Sequence, residues 1–328
     1  MQDRHCVVTG GAGYIGSHLC KALAADGCVP VTVDNLFRGH RDFVRWGPLE
    51  EGDIRDGAFL DRVFARYRPV AVFHFAGLTY VGESVEQPDA YYDVNFTGAK
   101  SVLDAMRRGA CDTIVFSSTA ATYGIPRSER IDEGHPQLPI NPYGWSKYFV
   151  ERMLDDYAVA YGMKYAALRY FNACGADPGG EIGERHEPET HLIPLVLQTA
   201  LGMRKAIKIF GTDYPTPDGT AIRDYVHVSD LADAHLLAMR HLMRTGENLA
   251  LNLGTGKGYS VQEIVDAAER TVGGNIPVQE APRRVGDPPV LVASNDRARE
   301  ILGWSPRRND LTTILRDAWT WHRRDQSL

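Results

Sequence analysis

The chain has 328 residues, of which 44% are hydrophobic and 24% charged, with a formal net charge of −6. This is the balance of an ordinary folded protein with room for a large core, and it excludes disordered and collagen-like classes. An acidic balance also argues against a general nucleic-acid binder, which needs a basic surface to displace counterions, although a local basic pocket for one diphosphate stays open.

Residues 6–9 read as a first strand that feeds directly into Gly10-Gly11-Ala12-Gly13-Tyr14-Ile15-Gly16. Glycines at this G-x-x-G-x-x-G spacing suit a sharp turn in which backbone approaches a pyrophosphate, with a helix N-terminus behind it offering free N–H groups. A helix follows over residues 17–26 and a second strand over 29–34, ending on Asp34. An acid at that distance grips adenosine ribose hydroxyls and repels a 2′-phosphate, so NAD is expected rather than NADP. A third strand, 49–53, ends on Asp53, which is within reach of an adenine amino group or is simply a solvated strand-end acid. Helix 58–67, strand 71–75, helix 95–108, strand 114–117, helix 143–161 and strand 165–169 continue the alternation. The pattern is that of an α/β, doubly wound parallel sheet of Rossmann type.

Two later segments carry candidate chemistry. Strand 114–117 ends in the hydroxyl cluster Ser117-Ser118-Thr119, at the sheet edge where ligands bind in open α/β folds; Thr119 is the candidate to hold a substrate alcohol. Such runs also cap turns. In Asn141-Pro142-Tyr143-Gly144-Trp145-Ser146-Lys147, a helix N-terminus places Tyr143 and Lys147 four residues apart on one face. An ammonium near the phenol is expected to lower the tyrosine pKa from about 10 toward working pH and make Tyr143 a general base.

Beyond Asn172 the alternation becomes irregular, and a smaller α/β substrate-binding lobe is expected. Segment 223–228 and a helix over 229–243 read as a return to the first lobe. The expected division is thus 1–172 with about 223–255 for NAD, and 173–222 with about 256–328 for the substrate. The cysteines Cys6, Cys20, Cys28, Cys111 and Cys174 are scattered and form no C-x-x-C pair, so neither disulfides nor a zinc site is expected, and the chain fits a reducing cytoplasm. The first strand begins too near Met1 to leave length for a cleavable signal, and no apolar run spans a bilayer.

These residues resemble the extended short-chain dehydrogenase/reductase superfamily and, within it, the UDP-glucose 4-epimerases. The resemblance rests on the glycine loop, Phe73-His74-Phe75-Ala76-Gly77, Val81-Gly82-Glu83-Ser84, Pro142-Tyr143-Gly144, Leu168-Arg169-Tyr170-Phe171-Asn172, Asp218-Gly219-Thr220, Arg223-Asp224-Tyr225-Val226-His227-Val228 and Asn252-Leu253-Gly254. It implies an NAD site lined by Gly10, Gly13, Tyr14, Ile15, Gly16, Asp34, Asn35, Asp53, Ile54, Phe75, Ala76, Gly77, Asn95, Ser117 and Phe171, with Thr119, Tyr143 and Lys147 over the nicotinamide. It further implies that Asn172 and Leu192 touch sugar and diphosphate, Ile209 and Phe210 border uracil, Arg223 and Arg284 clamp the pyrophosphate, and Asp287 holds the uridine ribose.

Several positions depart from the family pattern: Thr119 stands where serine is usual, Thr79 where some members carry lysine, and segment 185–191 differs without an evident physical consequence. Leu291 occupies a position where large residues exclude acetamido sugars and small ones admit them, so the sugar stays open among UDP-hexoses, UDP-N-acetylhexosamines and UDP-pentoses. A dehydratase on the same scaffold needs an acid and a base after the strand-end threonine, where this chain has Ala120-Ala121. A catalytically silent NAD-binding sensor is the remaining alternative. A homodimer through helices 95–108 and 143–161 is expected by analogy with the family.

Overall fold

The computed structural model describes residues 4–284 and 286–325. In chain order it builds β1 (Arg4–Thr9), α1 (Tyr14–Ala25), β2 (Cys28–Asp34), β3 (Leu49–Glu51), α2 (Gly57–Tyr67), β4 (Ala71–His74), the short helices α3 (Val81–Glu86) and α4 (Pro88–Tyr91), a π-helical turn (Tyr92–Thr97), α5 (Gly98–Arg108), β5 (Thr113–Thr119) and β6 (Arg130–Ile131). There follow α6 (Pro142–Tyr161), β7 (Lys164–Tyr170), β8 (Asn172–Cys174), α7 (Leu192–Ala200), β9 (Ile207–Phe210), β10 (Ile222–His227), α8 (Val228–Thr245), β11 (Leu249–Leu253), β12 (Gly258–Ser260), α9 (Val261–Val272), β13 (Val278–Ala281), β14 (Val290–Ala293), α10 (Asp296–Leu302) and α11 (Leu311–Asp325).

A seven-stranded sheet in the order β3-β2-β1-β4-β5-β7-β11 forms the body of the larger lobe, and every pairing in it is parallel. Its strands read as nearly continuous apolar runs because both faces are covered. In β1, Cys6 and Val8 pack with Leu19, Leu23, Leu231 and Met239 on one side. Val7, pointing the other way, packs with Phe59, Leu60, Val102 and Leu154. The chain reverses its winding between β1 and β4, and ligands bind such sheets at the carboxyl ends flanking that switch.

A smaller sheet, β12-β10-β14-β6 with β8 also on β10, and the two-stranded β13-β9 carry the second lobe. Helices α7, α9 and α11 close its own core around Ile193, Leu197, Tyr225, Ile264, Val265, Ile314 and Leu315. Local chemistry sets the helix limits. Asn141 accepts the Gly144 N–H at 2.8 Å and Pro142 takes the first turn of α6, which stops at Gly162 with φ of 69°. Ser260 and Glu263 form a reciprocal capping box on α9.

Against the sequence expectation, α1 begins at Tyr14 rather than at 17, since Gly13 with extended backbone is its N-cap. β3 ends at Glu51, so Asp53 lies in the loop beyond it. The helix expected from 95 is α-helical only from Gly98, after the π-helical turn. β5 runs on to Thr119, which places that hydroxyl at the last residue of the strand. Among the described residues no helix is long and apolar enough to cross a membrane.

Candidate active site

The glycine loop sits at the switch point and is held there by contacts that no side chain would allow. Gly10 has φ of 72°, and a Cβ on it would stand 2.6 Å from the backbone nitrogen of Ala76, just past β4. A Cβ on Gly16 would meet the Gly10 carbonyl at 2.2 Å. The backbone is thus packed too closely for anything but glycine, and Gly13 caps α1 without a side-chain acceptor, leaving the first-turn N–H groups for an outside anion.

Asp34 closes β2 with one carboxylate oxygen accepting the Ala12 N–H at 3.1 Å and the other the Leu36 N–H at 2.9 Å. Burial nevertheless raises its pKa. Asp53 pairs with Arg55 and accepts from Asn35 at 3.3 Å, and the Arg55 hydrogen bonds draw its carboxyl down to about 2. Ile54 packs where a Cβ on Gly98 would stand 2.5 Å from its Cδ1, and Phe75 lies 4.8 Å from the His235 ring. Asn95, in the π-helical turn, accepts the Leu78 N–H at 2.7 Å and donates to the Leu78 carbonyl and to Ser146 Oγ, each at 3.0 Å. The widened turn thereby pins the Gly77-Leu78 loop to α6. A cradle of glycines, a bare helix start and a strand-end acid form a donor and acceptor set that fits NAD.

Helix α6 addresses the end of β5 with one residue per turn. Tyr143, Lys147 and Glu151 stand four apart and so share a face. The Thr119 hydroxyl acts on the Tyr143 phenol, and its oxygen accepts the Ala121 N–H at 3.1 Å. Lys147 Nζ donates to the Ser117 carbonyl at 3.0 Å and lies 5.0 Å over the Phe116 ring. Glu151 accepts from Ser118 and forms a buried ion pair with Arg169, whose guanidinium also donates to Tyr123 at 2.9 Å. Tyr170 donates to Ser117 Oγ at 2.5 Å, completing a floor of hydroxyls beneath the site.

The electrostatics correct one expectation. In the free chain the Tyr143 phenol is not drawn toward neutrality: burial pushes it above 10, and the Thr119 hydrogen bond recovers only part of the shift. Lys147 is itself depressed to about 8 by burial. Spacing on the helix places the pair on one face but does not aim the ammonium, which is taken up by the strand carbonyl.

The residues expected to meet the nucleotide sugar lie on β8, α7, β9, β10, β14 and the loop between β13 and β14. Asn172 on β8 and Leu192 at the start of α7 line one small cavity with Tyr225, Glu184 and His191. Arg223 pairs with Asp287 and stands in register with Leu291 on the neighbouring β14. Arg284 stacks 4.1 Å over the ring of Phe210 at the end of β9. Ile209, one residue earlier, is 2% exposed and faces the core, so on this strand it is Phe210 that offers a surface. Phe171 bridges β7 and β8 and is half-buried. Sequence reasoning assigned no role to Tyr170, Ser146 or the Glu151–Arg169 pair. Extending the Tyr143/Lys147 face by one further turn would have found Glu151; the others depend on contacts between strands that spacing does not encode.

Residues 6–254 match the NAD dependent epimerase/dehydratase family. A UDP-glucose 4-epimerase of Rhizobium meliloti (strain 1021) is 54% identical over 99% of this chain and 98% of its own length. The crystal structure of UDP-glucose 4-epimerase from Brucella ovis in complex with NAD superposes with a TM-score of 0.95 at 53% identity, covering 96% of this chain and 97% of that one. A UDP-glucose-4-epimerase from Stenotrophomonas maltophila with bound NAD and formylated UDP-arabinopyranose gives 0.96 at 39% identity, covering 99% of each chain. With the glycine cradle at the switch point and the tyrosine and lysine of α6 set against the end of β5, the chain belongs to the NAD-dependent epimerase/dehydratase family.

Proposed function

We propose that this protein is a UDP-glucose 4-epimerase that interconverts UDP-glucose and UDP-galactose by inverting C4, with NAD held throughout. The observation that carries this reading is Tyr143 beside the Thr119 hydroxyl at the carboxyl end of β5, with buried Lys147 anchored to the Ser117 carbonyl one turn further along the same helix. The near full-length likeness to epimerases supports the reaction class.

Bound NAD supplies a reversible hydride acceptor and a positively charged ring. The chain's own residues handle protons and position. Tyr143 Oη takes the proton of the C4 hydroxyl as that carbon becomes a ketone and returns it after the sugar has presented its other face. Thr119 donates to the phenol oxygen and so favours the phenolate that must form. Lys147, fixed by the Ser117 carbonyl one turn along the same helix face, steadies the end of β5 on which Thr119 stands. Arg223 and Arg284 hold the diphosphate, so the sugar turns while its anchor stays in place. Asp287 and Phe210 receive the uridine, and Leu291, beside Arg223, sets the room around the sugar.

After Thr119 the chain continues as Ala120-Ala121 in a 3-10 turn, so no carboxylate pair stands there to drive dehydration. The test is Tyr143→Phe. It should lose about 10²–10⁴-fold in UDP-galactose turnover while NAD remains bound. Near-normal turnover by this variant would refute the reading. A panel of UDP-hexoses, UDP-N-acetylhexosamines and UDP-pentoses, run without added cofactor and separated by chromatography, fixes the substrate.

A further inference from the structure

The loop from β8 to α7 carries Glu184, His186, Glu189 and His191, and it folds so that one donor atom of each lies within 4.8 Å of the other three. His186 Nδ1 stands 3.3 Å from Glu184 Oε1 and 3.5 Å from Glu189 Oε2. His191 Nδ1 stands 2.8 Å from Glu184 Oε1 and 3.3 Å from Glu189 Oε1. Zinc bonds of about 2.0–2.2 Å put neighbouring ligands of a tetrahedron about 3.3–3.6 Å apart, the separations of His186 from the two carboxylates.

The carboxylates are buried, with side chains 4% and 2% exposed. Glu189 Oε1 is occupied by the backbone N–H groups of Thr190 and His191 at 2.8 and 2.9 Å. Glu189 Oε2, Glu184 Oε1 and both imidazole Nδ1 atoms have no aligned hydrogen-bond partner, not even one another. The four atoms gather within 4.8 Å of one another, His191 standing closest to Glu184. Two buried carboxylates also require two positive charges, and the adjacent Arg185 is turned away to Asp42 and Asp325. One divalent cation or two imidazolium protons would supply them.

We propose that Glu184, His186, Glu189 and His191 form a closed four-coordinate site for a divalent transition-metal ion, zinc by ligand type and geometry, that fixes this loop between the two lobes. Imidazole and carboxylate ligands in tetrahedral array suit zinc, and a full set of protein ligands marks a structural rather than a catalytic centre. The loop already bridges the lobes: the Tyr80 hydroxyl donates to Pro188 O at 2.9 Å, Trp321 Nε1 donates to Glu184 O at 3.1 Å, and the His186 ring lies 6.2 Å from that of Tyr14 in the glycine helix. His191 is the N-cap of α7, so the ion would also set where Leu192 and the wall beside Asn172 stand. The site makes no contact with the proton chemistry at Tyr143, and its standing does not depend on which sugar the enzyme takes.

The experiment uses full-length, NAD-loaded protein purified without immobilised metal, dialysed against micromolar zinc and then metal-free buffer. Mass spectrometry of the metal content should find about one zinc per chain, and His186→Ala/His191→Ala should retain at least tenfold less. A crystal of the unaltered protein measured across the zinc edge should show an anomalous peak between the four side chains, which keeps the test valid if the variant does not fold. Protein that emerges without zinc, equal retention by the variant, or a peak elsewhere would overturn the site in favour of proton-bridged histidines.

Discussion

Lys147 illustrates how a buried charge strains the fold that holds it. Its ammonium is buried, with the Ser117 carbonyl as its hydrogen-bond acceptor and the Phe116 ring nearby, and burial lowers its pKa from 10.5 to about 8. Below pH 8 the folded chain carries the whole cost of that charge. Between pH 8 and 10.5 the unfolded chain keeps the proton that the folded one has released, so stability rises with pH across this window. Lys147→Met should therefore raise the stability of NAD-free protein at pH 7 by about 2 kcal/mol, an advantage that shrinks as pH climbs through the window, and should abolish epimerisation. Thermal unfolding of both proteins from pH 7 to 10 measures it; an advantage that grows with pH would contradict the assignment. Tyr143 is the complementary case, a phenol pushed up by burial.

At the scale of elements, the site is a property of α6 lying across the end of β5. Lys147 and Glu151 meet Ser117 and Ser118 respectively, so the helix is registered on the strand by two hydrogen bonds, with Tyr143 beside Thr119 one turn earlier. The Glu151 contact is the more buried, and its ion pair with Arg169 on β7 ties the helix to a second strand. Glu151→Gln would leave the Arg169 guanidinium buried and short of its counter-charge, at a cost of about 3–5 kcal/mol in stability. Urea unfolding checks the figure, and a loss below about 1 kcal/mol would mean the pair is dispensable. This level also shows where the sequence was readable. The glycine loop, Asp34 and the Tyr143/Lys147 pair were legible because each is a local pattern with a local physical reason. The π-helical turn that presents Asn95 was not, because its helical periodicity runs unbroken into α5. Nor was the direction of the Tyr143 shift, which is set by burial from elements distant in sequence.

Across the whole molecule, the parallel sheet sets the glycine loop at its switch point and the smaller sheet carries Asn172 and Arg223. The alternation of strands and helices made the first lobe legible. The second escaped detailed reading because its strands are as short as two residues and come from separate parts of the chain, β6 among them. Helix α6 turns its outer face to solvent with Phe149 and Tyr161 exposed. Phe149 gathers Tyr92, Phe96, Trp145 and Tyr148 into an aromatic patch reaching the segment before α5. We propose that this patch is covered by a second copy of the chain. Light scattering should give about twice the chain mass of 36.4 kDa, reduced to a single chain by Phe149→Asp.

The most direct test follows one hydrogen. UDP-glucose carrying deuterium at C4 is incubated with the purified protein in ordinary water, without added cofactor. Out-and-back transfer within one closed site predicts UDP-galactose that keeps the label at C4. Label lost to solvent, or no conversion until cofactor is supplied to protein already holding NAD, would contradict the account.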